Sequence, residues 1–318
     1  HWYLTPDEEA RAIGRDELLA SLAPDSAAMA QAADSVPEVF GEAGQGSTVS
    51  TWWDGFTPGP DEALMRLARV AVAAEEMGQD GVPDLLMLSF SQVDRIGHQY
   101  GPISREQLET LLRLDRVLGD LMDFLDENVG EGRYVMSFSA DHGVMDMPEY
   151  RAETGRRGER IPREAVSPLE VALGEVVRAR ASEGPGAVAE GIVEVALQQP
   201  WVEQAWTRDF LASSEPADSF AVLFRNSFHP DRPAGILSRF GVDLMYPEGV
   251  LDWAWPEGTH HGSPYYYDRH VPLVFFGGGI APGVVDDPVA TIDVAPTVAE
   301  ILGIPAPDDL DGRSLLSR

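Results

Sequence analysis

The chain has 318 residues, enough to bury a large core in one big domain or two smaller ones. Its 53 acidic residues against 23 basic ones leave a formal charge of −30, which excludes a general nucleic-acid binder, because such proteins present basic surface to phosphate. With 44% apolar and 24% charged residues it has a globular composition, and no apolar run reaches the roughly 18–20 residues of a membrane span.

Every basic residue is Arg, and there is no Lys. Two explanations of the acidity stand side by side: adaptation to high salt, where carboxylate-rich surfaces stay soluble, or a GC-rich coding bias with an acidic surface. The absence of cysteine removes disulfides, thiolate ligands and thiol catalysis together. The chain begins at His1 without an initiator Met or a signal-peptide pattern, and so reads as a processed chain or a piece of a longer one.

Up to about residue 60 the pattern predicts one polar helix, Pro6 to Leu22, followed by the irregular stretches "GEAGQGST" and "TWWDGFTPGP". "DEALMRLARVAVAAEEMG" (61–78) carries acids in its first turn and a glycine at its end, a helix signature. "PDLLMLSFS" follows as a near-continuous apolar run, predicting a strand buried on both faces. Residues 104–130 predict a long amphipathic helix with Ser104 as N-cap and Gly130 as its stop.

"RYVMSFSADHG" again runs a short buried strand into acidic and histidine residues. A charged loop from Met145 to Ile161, helical sequence over 167–212 and a strand-like "PWVEQAWT" come next. "SFAVLFRNSF" (219–228) and "FGVDLMYPEG" (240–249) alternate like paired strands joined by "HPDRPAG". "HVPLVFFGGG" predicts another buried strand and "TIDVAPTVAEILGI" a short helix. Strands alternating with helices define an α/β layered fold, with roughly 145–258 added as an insertion or cap.

Three clusters of ionisable residues lie beside the predicted strands: Asp94/His98, Asp141/His142 and His260/His261 in "GTHHGSPYYYD". Loops beyond strand carboxyl ends are where open α/β sheets place their sites. Asp94 and His98 share a face if their loop makes one helical turn. Asp141 and His142 converge if the strand end relaxes at Gly143. Carboxylate oxygen with imidazole nitrogen suits Zn²⁺ best, with Mn²⁺ or another divalent ion as the alternative.

Each piece has an ordinary reading as well. D-x-x-x-H pairs arise freely on exposed helices, and "THHG" alone is compatible with a turn and a capping histidine. "ADHG" after a buried strand is the stronger signal, because an ionisable pair is costly there unless used or solvated. His1, His229 and His270 read as surface or structural residues, and Arg95 as a surface salt-bridge partner, with contact to substrate as the alternative.

"DLLMLSFSQVDRIGHQYGP", "RLDRVLGDLMDFLDENVG", "YVMSFSADHGV" and "THHGSPYYYDRHVPLVFFGGGIAPG" resemble the carboxyl-terminal half of the alkaline phosphatase superfamily. The closing "TIDVAPTVAEILGIPAPDDLDGRSL" is similar to its final helix and strand. The likeness is to PafA-like bacterial alkaline phosphatases and next to nucleotide pyrophosphatase/phosphodiesterases, over roughly residues 50–318.

This resemblance implies one alkaline-phosphatase-like catalytic domain whose amino-terminal part is missing, with two zinc ions in the complete site. Asp94, His98 and His261 match the ligands of one zinc, and Asp141 and His142 match two ligands of the other. His260 is either an outer partner of that site or simply a neighbour. It also implies a periplasmic or secreted location and a phosphate ester substrate.

The departures matter equally. The family's amino-terminal half carries a further aspartate ligand and a Thr or Ser nucleophile, and the PafA-like branch adds a Lys and an Arg that grip the phosphoryl group. No nucleophile is assigned in this chain, and Ser91, Ser139 and Thr259 are not promoted to the role. The expected activity is zinc-dependent hydrolysis of phosphate monoesters through a covalent phospho-enzyme, the nucleophile lying upstream. Phosphodiester or pyrophosphate hydrolysis is the first alternative, and an inactive metal-binding fragment is the second. A sulfatase is disfavoured, because no cysteine is present to become formylglycine.

Overall fold

A computed structural model describes residues 56–213, 219–227, 236–240, 244–245 and 258–316. In chain order the elements are α1 (Gly59–Ala74), α2 (Gln92–Tyr100), α3 (Arg105–Leu125, continued by a π turn to Gly130), β1 (Val135–Ser139), α4 (Pro148–Glu153), β2 (Glu159–Arg160), α5 (Arg163–Arg180) and α6 (Pro185–Ala196). They continue with β3 (Val202–Thr207), α7 (Arg208–Ser213), α8 (Ser219–Ser227), β4 (Ile236–Phe240), β5 (Leu244–Met245), α9 (Tyr266–Arg269), β6 (Leu273–Gly277) and α10 (Val294–Leu302). The helix expected over Pro6 to Leu22 lies outside the described residues.

The chain divides into two compact units. One holds the described residues up to Ile96, Ile103–Asp141 and those from Val271 onward. Its core is built where α1 meets α3, around Met65, Ala68 and Leu121, with Leu88, Phe90, Leu118 and Met136 against them. Arg113 on α3 binds Glu109 one turn earlier at 2.7 Å and Glu62 on α1 at 3.2 Å, so the two helices are joined by charge as well as packing. Ser104 caps α3 as its sequence predicts, accepting from the Gln107 backbone N–H at 3.1 Å.

β1 and β6 form an antiparallel pair, Val135 opposite Gly277 and Ser139 opposite Leu273. Neither strand is buried throughout. Along β6 the exposure alternates, and Val274 and Phe276 stand 49% and 52% exposed.

The apolar run at 83–91 corrects the expectation of a doubly buried strand. It forms no regular element and belongs to no ladder among the described residues. Leu88 and Phe90 turn toward the α1/α3 core, whereas Leu85 and Met87 are 60% and 84% exposed. Leu86 is exposed as well, so the alternation of a half-covered strand is present only over 87–90. An apolar run records what both faces would tolerate; it does not supply the cover.

The second unit comprises Gly97–Pro102 and His142–His270. β3 pairs antiparallel with β4, and the short β2 lies parallel to β5. The predicted strand at 219–228 is a helix instead, α8. Phe220, Ala221 and Phe224 fall on one helical face: Ala221 is buried, Phe220 meets the Tyr265 ring edge-on at 5.6 Å, and Phe224 meets Trp206 at 5.3 Å. The hairpin expected between 219–228 and 240–249 is thus replaced by the β3–β4 pairing.

Candidate metal centre

Helix α2 carries two of the candidate ligands. Its amino-terminus is capped from another element: the Asp61 carboxylate on α1 accepts from the backbone N–H of Ser91 at 3.1 Å and of Gln92 at 3.2 Å. Asp61 is 6% exposed, and burial pushes its pKa up to about 6 despite the hydrogen bonds from Gln92 and Ser91 that oppose the rise. Read from sequence, Asp61 is one more acid in the first turn of α1. Its partners lie 30 residues downstream, which no local pattern reveals.

One turn separates Asp94 from His98, so the helix itself places both side chains on one face. His98 is buried. Its Nδ1 lies 2.6 Å from the Thr259 carbonyl oxygen, and the Thr259 N–H donates to the His98 carbonyl at 2.8 Å. A carbonyl only accepts, so Nδ1 carries the hydrogen and Nε2 keeps its lone pair. That Nε2 is 3.1 Å from Nε2 of His261. One ligand atom from each of Asp94, His98 and His261 lies within 4.8 Å of the other two.

The donor set fits a zinc ion. Tetrahedral zinc with bonds of roughly 2.0–2.2 Å holds its ligand atoms about 3.3 Å apart, close to the 3.1 Å between the His98 and His261 Nε2 atoms and inside the 4.8 Å that bounds the three-ligand set. The carbonyl-bound Nδ1 of His98 is the outer hydrogen bond that metal-binding imidazoles characteristically make.

Asp141 and His142 follow β1 directly, after Ala140. Asp141 is exposed, and His142 is half-buried with its Nδ1 2.9 Å from the Gly143 carbonyl oxygen. The His142 ring stacks on His261, with centroids 3.4 Å apart and planes 13° from parallel. Asp141 and His142 form no cluster of three possible ligands among the described residues. His260 is buried, with its ring centroid 5.0 Å from that of His98 and the two planes tilted by 57°.

Two backbone approaches hold these loops. The Gly143 N–H donates to the Asp268 carbonyl at 2.7 Å, and Met145 N–H to the His260 carbonyl at 3.2 Å. Gly143 is required by proximity: a Cβ there would fall on the Tyr267 carbonyl oxygen. Gly262, directly after His261, takes φ +96°, a left-handed turn that suits glycine.

Asp268 is another residue whose role sequence reasoning missed. It is 3% exposed, and its carboxylate accepts from the Ser263 N–H at 2.6 Å, bracing the turn after His261. Burial raises its pKa above the usual carboxylate range, against the hydrogen bonds from Ser263 and the proximity of His142. The signal was available only as an acid at the end of the aromatic run "PYYYD", which reads equally well as a solvated turn.

Residues 30–195, just over half of the 318, match the family model of type I phosphodiesterase / nucleotide pyrophosphatase. The chain belongs to this family. It is 29% identical to the alkaline phosphatase PafA of Elizabethkingia meningoseptica over 287 residues, covering 81% of this chain and 50% of that protein. It is 28% identical to the alkaline phosphatase PhoV of Synechococcus elongatus, over 80% of this chain and 48% of the relative.

The crystal structure of wild-type PafA superposes with a TM-score of 0.71 at 26% identity, over 82% of this chain and 52% of that one. The fold is accordingly alkaline-phosphatase-like, mixed α/β. The phosphodiesterase-family chain spans about half the length of the relatives it matches.

Proposed function

We propose that this chain supplies the carboxyl-terminal ligands of a two-zinc phosphoesterase that hydrolyses phosphate monoesters. The observation that carries the reading is the convergence of Asp94, His98 and His261, with the His98 hydrogen committed to a backbone carbonyl and its Nε2 facing His261. Asp141 and His142 supply two ligands of the second ion. When bound, the ions supply Lewis-acid stabilisation of charge on the attacking and leaving oxygens of an in-line displacement.

The chain's own residues orient that reaction. The Asp94 carboxylate and the two imidazoles would hold one ion, and the buried Thr259 carbonyl fixes the His98 ring through Nδ1. In this reading a hydroxyl from the half of the relatives' length that this chain does not cover attacks phosphorus, the P–O bond to the substrate alcohol breaks and the alcohol leaves, and water then hydrolyses the phospho-enzyme. Similarity to alkaline phosphatases supports monoesters as substrates and a periplasmic or secreted location. The name of the matching family favours a second reading, hydrolysis of phosphodiesters or pyrophosphates by the same ligands.

The test is a zinc titration of the purified chain followed by assays on p-nitrophenyl phosphate and on bis-p-nitrophenyl phosphate. Stoichiometric zinc binding that is lost in His98→Ala supports the metal site, and undiminished binding in that variant overturns it. Monoester turnover abolished by Asp141→Ala supports the two-ion reading. Preference for the bis-ester favours the second reading, and binding without turnover shows that this chain alone is a metal-binding module.

A further inference from the structure

We propose that Thr259 is a positioning residue for the metal centre, locking the tautomer and rotamer of His98 and the register of the adjoining His260–His261 loop. The inference rests on the reading of Asp94, His98 and His261 as metal ligands. Thr259 is fully buried, at 0% exposure. All three of its polar groups are committed, each to a segment that carries or adjoins a candidate ligand.

The N–H of Thr259 donates to the His98 carbonyl at 2.8 Å, and its own carbonyl accepts from His98 Nδ1 at 2.6 Å. These two bonds form a closed ring between one residue's backbone and the whole of His98, main chain and imidazole. The hydroxyl donates to the Met145 carbonyl at 2.7 Å, and Met145 N–H returns a bond to the His260 carbonyl at 3.2 Å. Met145 is itself buried and lies three residues after His142. Thr259 thus joins the end of α2, the loop after β1 and the histidine pair in one buried network.

The arrangement has a chemical consequence. With Nδ1–H held by the Thr259 carbonyl, His98 can offer only Nε2 to a cation, and the ring plane is fixed by the same bond. The hydroxyl keeps that carbonyl where it is. Without it the Thr259 backbone is anchored on one side only, and the Met145 carbonyl is left buried and unsatisfied. Valine matches threonine in shape but lacks the hydroxyl; serine keeps the hydroxyl and loses only a methyl group.

The experiment compares the unaltered chain with Thr259→Val and Thr259→Ser. In the metal-free chain, nitrogen-15 NMR should show His98 as the Nδ1–H tautomer, with hydrogen exchange at Nδ1 at least 10-fold faster in Thr259→Val and restored in Thr259→Ser. Zinc affinity, measured by competition with a chromophoric chelator, should fall about 10-fold in Thr259→Val and recover in Thr259→Ser.

A valine variant with unaltered exchange and unaltered zinc affinity overturns the proposal, even if its thermal midpoint falls. An Nε2–H tautomer in the unaltered chain overturns it too. If that chain binds no zinc, the metal reading fails on its own, while the exchange comparison still decides whether Thr259 holds His98.

Discussion

Two apolar runs lead into the candidate ligands, and they are secured in different ways. The run at 135–139 is paired in a ladder with β6, and Asp141 and His142 follow where that ladder ends. The run at 83–91 has no ladder among the described residues, and Leu85, Leu86 and Met87 are exposed while only Leu88 and Phe90 pack on the core. Yet the Asp94–His98 helix beyond it is held at both ends, by Asp61 at its start and by Thr259 at His98. A candidate ligand pair therefore does not need the strand before it to be paired. It needs the helix terminus to be satisfied and the imidazole to be anchored.

The largest expected effect is at the ladder-borne cluster. In Gly143→Ala the new methyl group meets the Tyr267 carbonyl, and the Gly143–Asp268 hydrogen bond cannot survive the shift that relieves the clash. Forcing a side chain against backbone in a packed loop costs about 3 kcal/mol or more. A fall in the urea midpoint should accompany loss of the His142–His261 stacking. A variant as stable as the parent would show that these loops yield more easily than their close approach implies.

Next in size is the cap of α2. Removing both acceptors in Asp61→Ala exposes two buried N–H groups at the start of the ligand-bearing helix. The expected loss is about 2 kcal/mol, from a missing cap and unsatisfied donors together. Zinc affinity should drop with it, because Asp94 lies in the first turn of that helix. If Asp61→Ala loses stability yet binds zinc as the parent does, the helix is held mainly from His98.

The Asp61 carboxyl also links this cap to pH. Its pKa in the fold is pushed up to about 6 from 3.8, chiefly by burial. Between those two values the folded chain retains a proton that the unfolded chain has released. Stability from this group is therefore full below about pH 4, is lost as pH rises toward 6, and stays lost above it, with a slope of at most about 1.4 kcal/mol per pH unit. Asp61→Asn should remove that slope, so subtracting its urea-unfolding free energies from the parent's across pH 4–7 isolates it. Parallel curves would show that Asp61 ionises in the fold as freely as it does in water.

Much of this organisation was legible in the sequence, and the parts that were not share a cause. The Ser104 cap, the α3 helix and the one-turn spacing of Asp94 and His98 are local, and each depends on residues within a few positions of one another. The family motifs named the five candidate ligands, and the structure gathers Asp94, His98 and His261 within one cluster. What escaped was decided by tertiary partners. Asp61 acts on Ser91 and Gln92, Thr259 on His98 and Met145, and Asp268 on a turn beside His142. The apolar residues of 219–227 satisfy the strand period as well as the helical one, and contacts with Trp206 and Tyr265 select the helical face.

The smallest effect probes the open face of the 83–91 run, and its smallness is the point. Met87 is 84% exposed, so Met87→Ser removes little buried area and should change stability by less than about 0.5 kcal/mol. Leu88, one residue on, faces the α1/α3 core, and Leu88→Ala should cost about 1–2 kcal/mol, the lower part of the usual range because its burial is partial. The pair measures the alternation directly: adjacent residues of similar hydrophobicity, on opposite faces, with unequal effects. Equal losses in the two variants would mean that the outward face is covered in solution, and the run would then behave as the doubly buried strand that its composition predicts.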